Sequence, residues 1–181
     1  MIMCLSYLHA NEIKKVYYPN GALGSETHYK NKVKHGIEKW YYEDGKLQKE
    51  TFYKHGKRDG DSKEYYQNGQ LKSKAFFKNN KVYGIEVMYY ENGNLGMKTA
   101  YKNGKRHGKE ILYNKDGSLF STKYFLNNVV DGIETGYYKN GKIRAEIPWL
   151  NNKIHGTKKE YDIHGKLLIE TIYINGIKQN I

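Results

Sequence analysis

Few residues in this chain have the chemistry to catalyse or to ligate a metal, and their spacing keeps them apart. The sequence holds seven histidines and one cysteine. His35, His107 and His155 each stand directly before a glycine, 24 residues or a multiple of 24 apart. A metal requires three or four ligands that converge on one point. A row of this kind instead sets its members side by side as polar turn residues. Cys4 and His9 are close in sequence, yet no third group is placed to orient the base of a nucleophilic pair. Gly104-Lys105 and similar pairs lack the Gly-x-x-x-x-Gly-Lys-Ser/Thr spacing and the helix that cradle a phosphate. Acidic residues occur one or two to a unit, with no pair set apart for acid–base work. The sequence therefore predicts no enzyme, no cofactor, no metal site and no small-molecule substrate.

What recurs is architecture. Gly21, Gly45, Gly69, Gly93, Gly117, Gly141 and Gly165 follow one another at 24-residue steps, and Gly36, Gly60, Gly84, Gly108, Gly132 and Gly156 keep the same step. A fixed period of this size marks an array in which each unit buries its apolar side against its neighbours. The array is expected over residues 13–176, flanked by an N-terminal segment (1–12) and a C-terminal tail (177–181).

Each unit reads as one β-hairpin. In the second, Ile37–Tyr42 and Leu47–Tyr53 are rich in strand formers and enclose Glu43-Asp44-Gly45. Glycine in the third place of a three-residue loop takes a positive φ without steric cost. Even alternation from this turn sets Tyr41 opposite Leu47 and Lys39 opposite Lys49. The other connection carries Asn79-Asn80, Asn103-Gly104, Asn127-Asn128 or Asn151-Asn152, pairs suited to two-residue type I′ turns. Lys32 departs from that pattern, and a looser first turn is expected there. The expected fold is all-β, an elongated array of about seven 24-residue β-hairpin units forming a continuous twisted antiparallel sheet. Two strands per unit, about 4.8 Å apart, would extend it to roughly 65 Å. Periodicity leaves both a meander and a coiled solenoid open.

Alternation then sorts the side chains by face. The columns led by Tyr17, Leu23 and Tyr29 are expected on one structural face, with Ser25, Thr51 and Ala75 between them. The other face is expected to carry Trp40, Tyr42, Phe52, Tyr66, Phe76, Met88, Tyr90 and Tyr124, ringed by Glu38, Glu86, Glu110, Glu134 and Glu50. Irregular aromatics among charges suit a partner-binding surface.

The net charge is +12 and the mean hydropathy −0.89. Such a charge fits an acidic protein, nucleic acid or anionic lipid. Lysine is scattered through most repeats, which equally suits solubilising charge and guarded sheet edges. The absence of a disulfide framework is compatible with a cytoplasmic protein, the expected location. Residues 1–10 read either as a capping strand or as the remnant of a signal ending at Ala10, the latter implying export to the periplasm or surface.

The unit Trp40-Tyr41-Tyr42-Glu43-Asp44-Gly45-Lys46-Leu47, continued by Tyr53-Lys54-His55-Gly56-Lys57-Arg58-Asp59-Gly60, resembles the MORN-repeat variant of bacteria. The resemblance covers about nine tenths of the chain. Proteins made only of this variant are commonly classed as antitoxins of toxin–antitoxin systems (YwqK-like), so the resemblance implies neutralisation of a partner protein by binding. Related eukaryotic proteins act as scaffolds or bind membranes. Asn114 replaces the second tyrosine of the motif, while Gly136 and Pro148 interrupt strand positions. Pro148 cannot donate a ladder bond, and a kink or bulge near Trp149 is expected. A binder of nucleic acid or anionic membrane is the alternative function, and self-association through sheet edges a further expectation.

Overall fold

The computed structural model describes residues 11–180. The cap or signal expected over residues 1–10 lies outside the described residues. The strands are β1 (Asn11–Tyr17), β2 (Leu23–Lys30), β3 (Val33–Tyr41), β4 (Leu47–Lys54), β5 (Lys57–Tyr65), β6 (Leu71–Lys78), β7 (Lys81–Tyr89), β8 (Leu95–Lys102) and β9 (Lys105–Tyr113). They continue as β10 (Leu119–Leu126), β11 (Val129–Val130), β12 (Gly132–Tyr137), β13 (Ile143–Leu150), β14 (Lys153–Ile154), β15 (Gly156–Tyr161), β16 (Leu167–Ile174) and β17 (Ile177–Lys178). All pairings are antiparallel and between strands successive along the chain, except that β10 pairs with both β11 and β12, and β13 with both β14 and β15. The sheet is therefore an open meander. Among the described residues, pairing is seen from Asn11 onward, and Ile177–Lys178 pairs back onto β16.

The turns follow their residues. Gly45 N–H donates to the Tyr42 carbonyl (2.9 Å), Tyr42 N–H donates to Lys46 (2.8 Å), and Asp44 Oδ1 accepts the Lys46 N–H (3.1 Å). Asn20, Asn68, Asn92, Asp116 and Asn140 accept in the same way, which explains the Asn/Asp preference before glycine. At the other end both turn residues are left-handed: Asn79 and Asn80 have φ 50° and 68°. Asn31 and Lys32 have φ 52° and 64°, so the first turn is no looser than the rest despite its lysine. Successive turns are also joined: Asn80 N–H donates to the Arg58 carbonyl (2.9 Å) while its Oδ1 accepts the Arg58 N–H (2.8 Å). Asn128 repeats this on Arg106 and Asn152 on Val130.

Within each hairpin the register departs from even alternation at one place, and the ladders joining the first five hairpins carry a further shift, as between Thr51 and Tyr53. Tyr41 does face Leu47, but Trp40 faces Lys49, leaving Gln48 unmatched; Lys39 consequently faces Glu50 and not Lys49. The same shift recurs beside Gly24, Lys72, Gly96, Phe120, Arg144 and Leu168. A one-residue bulge exchanges the faces of everything beyond it. The Tyr17 column is thereby placed opposite the Tyr29 column instead of beside it. Tyr65 donates to Glu50 (3.2 Å) and Tyr161 to Glu146 (2.7 Å) on that second face.

The first face holds the core. Small or hydroxyl residues are buried there, Thr99 most completely at 1% exposure, with Thr51 and Ala75. The aromatic column beside them is roofed by cations: Arg58 lies 4.1 Å above the Phe77 ring and Arg106 4.0 Å above Phe125. These stacked guanidiniums help to bury two phenylalanines on this face, where the described residues form no second layer. The irregularity expected near Trp149 lies on the strand facing it. β13 runs through Pro148 unbroken, and the interruption is at His155 on the facing strand, between β14 and β15. Asp131 interrupts the previous unit alike, opposite Tyr124, so proline is not its cause.

Candidate partner-binding surface

The eight residues proposed from sequence as one surface separate into three groups. Tyr42, Tyr66 and Tyr90 are repeat-to-repeat staples. Their hydroxyls donate to the backbone carbonyls of Tyr65 (2.8 Å), Tyr89 (2.7 Å) and Tyr113 (2.8 Å) in the following unit. Tyr18 and Tyr138 do the same, whereas Asn114 turns back to Ser118. The staple ring lies against the bulge residue; a Cβ at Gly96 would come within 3.2 Å of Tyr90.

Trp40 and Met88 lie on the first face. Trp40 faces Lys49 and Met88 faces Met97, and both side chains remain partly exposed. Of the glutamates expected around a binding site, Glu50 lies on the second face and the others belong to this one. Glu38 and Glu110 are buried, accepting from Thr27 (3.2 Å) and Thr99 (3.1 Å), and Glu134 accepts the Trp149 indole N–H (3.0 Å). Burial alone would raise the Glu38 carboxyl, but the Lys34 ammonium, Tyr53 and Trp40 hold it below the ordinary carboxylate range. Burial and the neighbouring Glu86 push the Tyr101 phenol up to about 12. These are structural pairs.

Phe52, Phe76 and Tyr124 lie on the second face, at equivalent positions of three units, and are 40%, 43% and 48% exposed. They face Ile37, Asp61 and Lys109 across the hairpin. Gly60 makes room for Phe52. A Cβ at Gly60 would lie 2.9 Å from that of Phe52. Ile37, Ile85 and Ile133 extend the exposed apolar set along this face. Sequence reasoning passed over them, although isoleucine recurs in their column at 13, 37, 85 and 133. A shallow depression of about 400 Å³ is lined by Ile37, Glu50, Phe52, Asp61 and Lys63. Its charges are paired, Lys63 with Glu50 (3.0 Å) and Lys74 with Asp61 (3.7 Å). The bonds from Lys63 and Tyr65 keep Glu50 ionised below the usual carboxylate range.

No curated protein matches the chain significantly. The MORN repeat variant model matches residues 13–31, 34–55, 58–79, 83–105 and 130–151. The intervening unit and the one that follows keep the same three-residue turn, at Gly117 and Gly165. With more than half of its residues matched and the repeat geometry in place, the chain belongs to the MORN repeat variant family.

Proposed function

We propose that this chain is a non-enzymatic protein-binding repeat protein, an antitoxin-like inhibitor that neutralises a partner by covering part of its surface. The observation that supports this is the second face, where exposed Phe52, Phe76, Tyr124, Ile37, Ile85 and Ile133 recur among charges already paired within the sheet. Aromatic and aliphatic anchors at a fixed spacing suit the centre of a protein interface, with neutralised charges as its rim. Trp40 and Met88 would belong to a separate contact on the first face, and Tyr42, Tyr66 and Tyr90 would serve by holding the array rigid. Affinity capture on the tagged chain, washed at high salt, tests the proposal. One protein retained by the wild type and lost by Phe52→Ser/Phe76→Ser is expected. Equal retention by that variant would remove the second face from the function.

A further inference from the structure

The scattered lysines are periodic, and folding gathers them. Lys30, Lys54, Lys78 and Lys102 occupy one strand-end column; Lys57, Lys81 and Lys105 occupy the facing one, and Lys32 lies in the first turn. Across three consecutive type I′ turns, lysine sits directly opposite lysine: Lys54 with Lys57, Lys78 with Lys81 and Lys102 with Lys105. Like charges in this position disfavour the hairpin. Among the described residues none of these lysines is in an ion pair. On the opposite edge of the same units the loops carry Glu43, Asp44 and Glu91 against a single lysine, Lys46, which pairs with Asp44 (3.3 Å), so the positive charge of these units gathers on one edge. Of the three later turns, two replace both lysines (Leu126 with Val129, Ile174 with Ile177) and one keeps Lys153 opposite Leu150.

We infer that this lysine edge, over the first four type I′ turns, binds the backbone of a single-stranded nucleic acid. Exposed lysine outside any ion pair is depleted from protein interfaces but suits phosphates, whose counterions it releases. Tip-to-tip bonds such as those between Asn80 and Arg58 hold neighbouring turns together, about 9.6 Å apart along the edge. Sheet twist rotates each tip against the last. A planar bilayer or a stiff duplex therefore meets few tips at once, while a flexible strand can follow them all. Rings for base stacking are interleaved with the charge. Tyr83 is 49% exposed in a depression shared with Lys78, Asn79 and Lys81, and the His35 and His55 rings lie 5.3 Å apart on the same edge.

The test is an anisotropy titration of the full chain with a labelled oligothymidine long enough to cross the four turns. The matching duplex and phosphatidylserine-containing vesicles serve as separate arms. The single strand is expected to bind tightest, with steep salt dependence. Lys54→Gln/Lys57→Gln/Lys78→Gln/Lys81→Gln should weaken binding roughly tenfold or more and reduce the log–log salt slope by about 3. Lys115→Gln/Lys139→Gln/Lys142→Gln/Lys166→Gln, with the same change in charge on the other edge, should retain the slope. Tyr83→Ala should weaken the single strand several-fold without altering the slope. The melting temperature of the lysine-edge variant should hold or rise, since it loses like-charge pairs. Equal loss in both quadruple variants, preference for duplex or vesicles, or no binding at low salt would overturn the inference.

Discussion

A single hydroxyl per unit ties most neighbouring hairpins of this sheet together. Tyr66→Phe removes the bond to the Tyr89 carbonyl and leaves the ring in place, so the loss should be about 1 kcal/mol. Urea unfolding of the two proteins checks this, and an unchanged midpoint would reduce the staple to packing. Paired titratable groups make stability depend on pH in both directions. Tyr101 has its phenol raised to about 12 by burial and Glu86. Its contribution is complete below the ordinary tyrosine value near 10 and is lost as pH climbs through the raised one. Tyrosine absorbance in the native protein should show a late step that Tyr101→Phe removes. Glu38 and Glu50 act in the opposite sense, because both carboxyls are held below their ordinary value. Their contribution is present above the unfolded value near 4.5 and disappears as pH falls through the lowered one.

The hairpin is set by two different irregularities, and only one has a residue signature. Most second-series glycines mark where the next strand passes beneath a side chain, Gly84 being the exception. Gly60 has φ 140°, and an added Cβ would meet Phe52 at 2.9 Å; Gly84 has φ 81° with nothing within 4 Å. Gly60→Ala should therefore cost roughly 3 kcal/mol, from backbone strain plus overlap. Gly84→Ala should cost about 1 kcal/mol from its φ alone. Denaturant midpoints compare them, and equal losses would show that space above Gly60 is irrelevant. The bulge is the other irregularity, and its column reads Gly24, Gln48, Lys72, Gly96, Phe120, Arg144 and Leu168. No shared size, charge or backbone preference announces it. The period, both turns and the Tyr41–Leu47 pair were legible because glycine and asparagine report positive φ directly. The faces were not, since one unmatched residue reverses them. That slip put Trp40 and Phe52 on one surface in the sequence reading, and it hid Ile37 and Ile85 as companions of Phe52.

At the scale of the molecule, the strand ladders follow chain order from hairpin to hairpin, so stability accumulates along one dimension. Burial is uneven along that line. β1 is exposed throughout, and most of β16 is exposed, including Leu168 (59%) and Ile169 (53%). Thr99, Ala75 and Phe77 are buried in the middle, over β6 and β8. Opening from either end disrupts one inter-hairpin ladder at a time, whereas opening in the middle breaks two and uncovers the stacked rings. Amide exchange by mass spectrometry on this chain should therefore show graded protection, highest over β6–β9 and falling toward β1 and β16. Tyr66→Phe should lower protection chiefly in the units adjoining its lost bond. A single uniform protection level, lowered everywhere by that substitution, would mean that the array opens as one cooperative body. In that case the staples would bind the whole sheet, and a partner seated on the second face would stabilise every hairpin alike. With graded opening, the same partner would protect mainly the hairpins it covers, and the exchange pattern would trace its footprint.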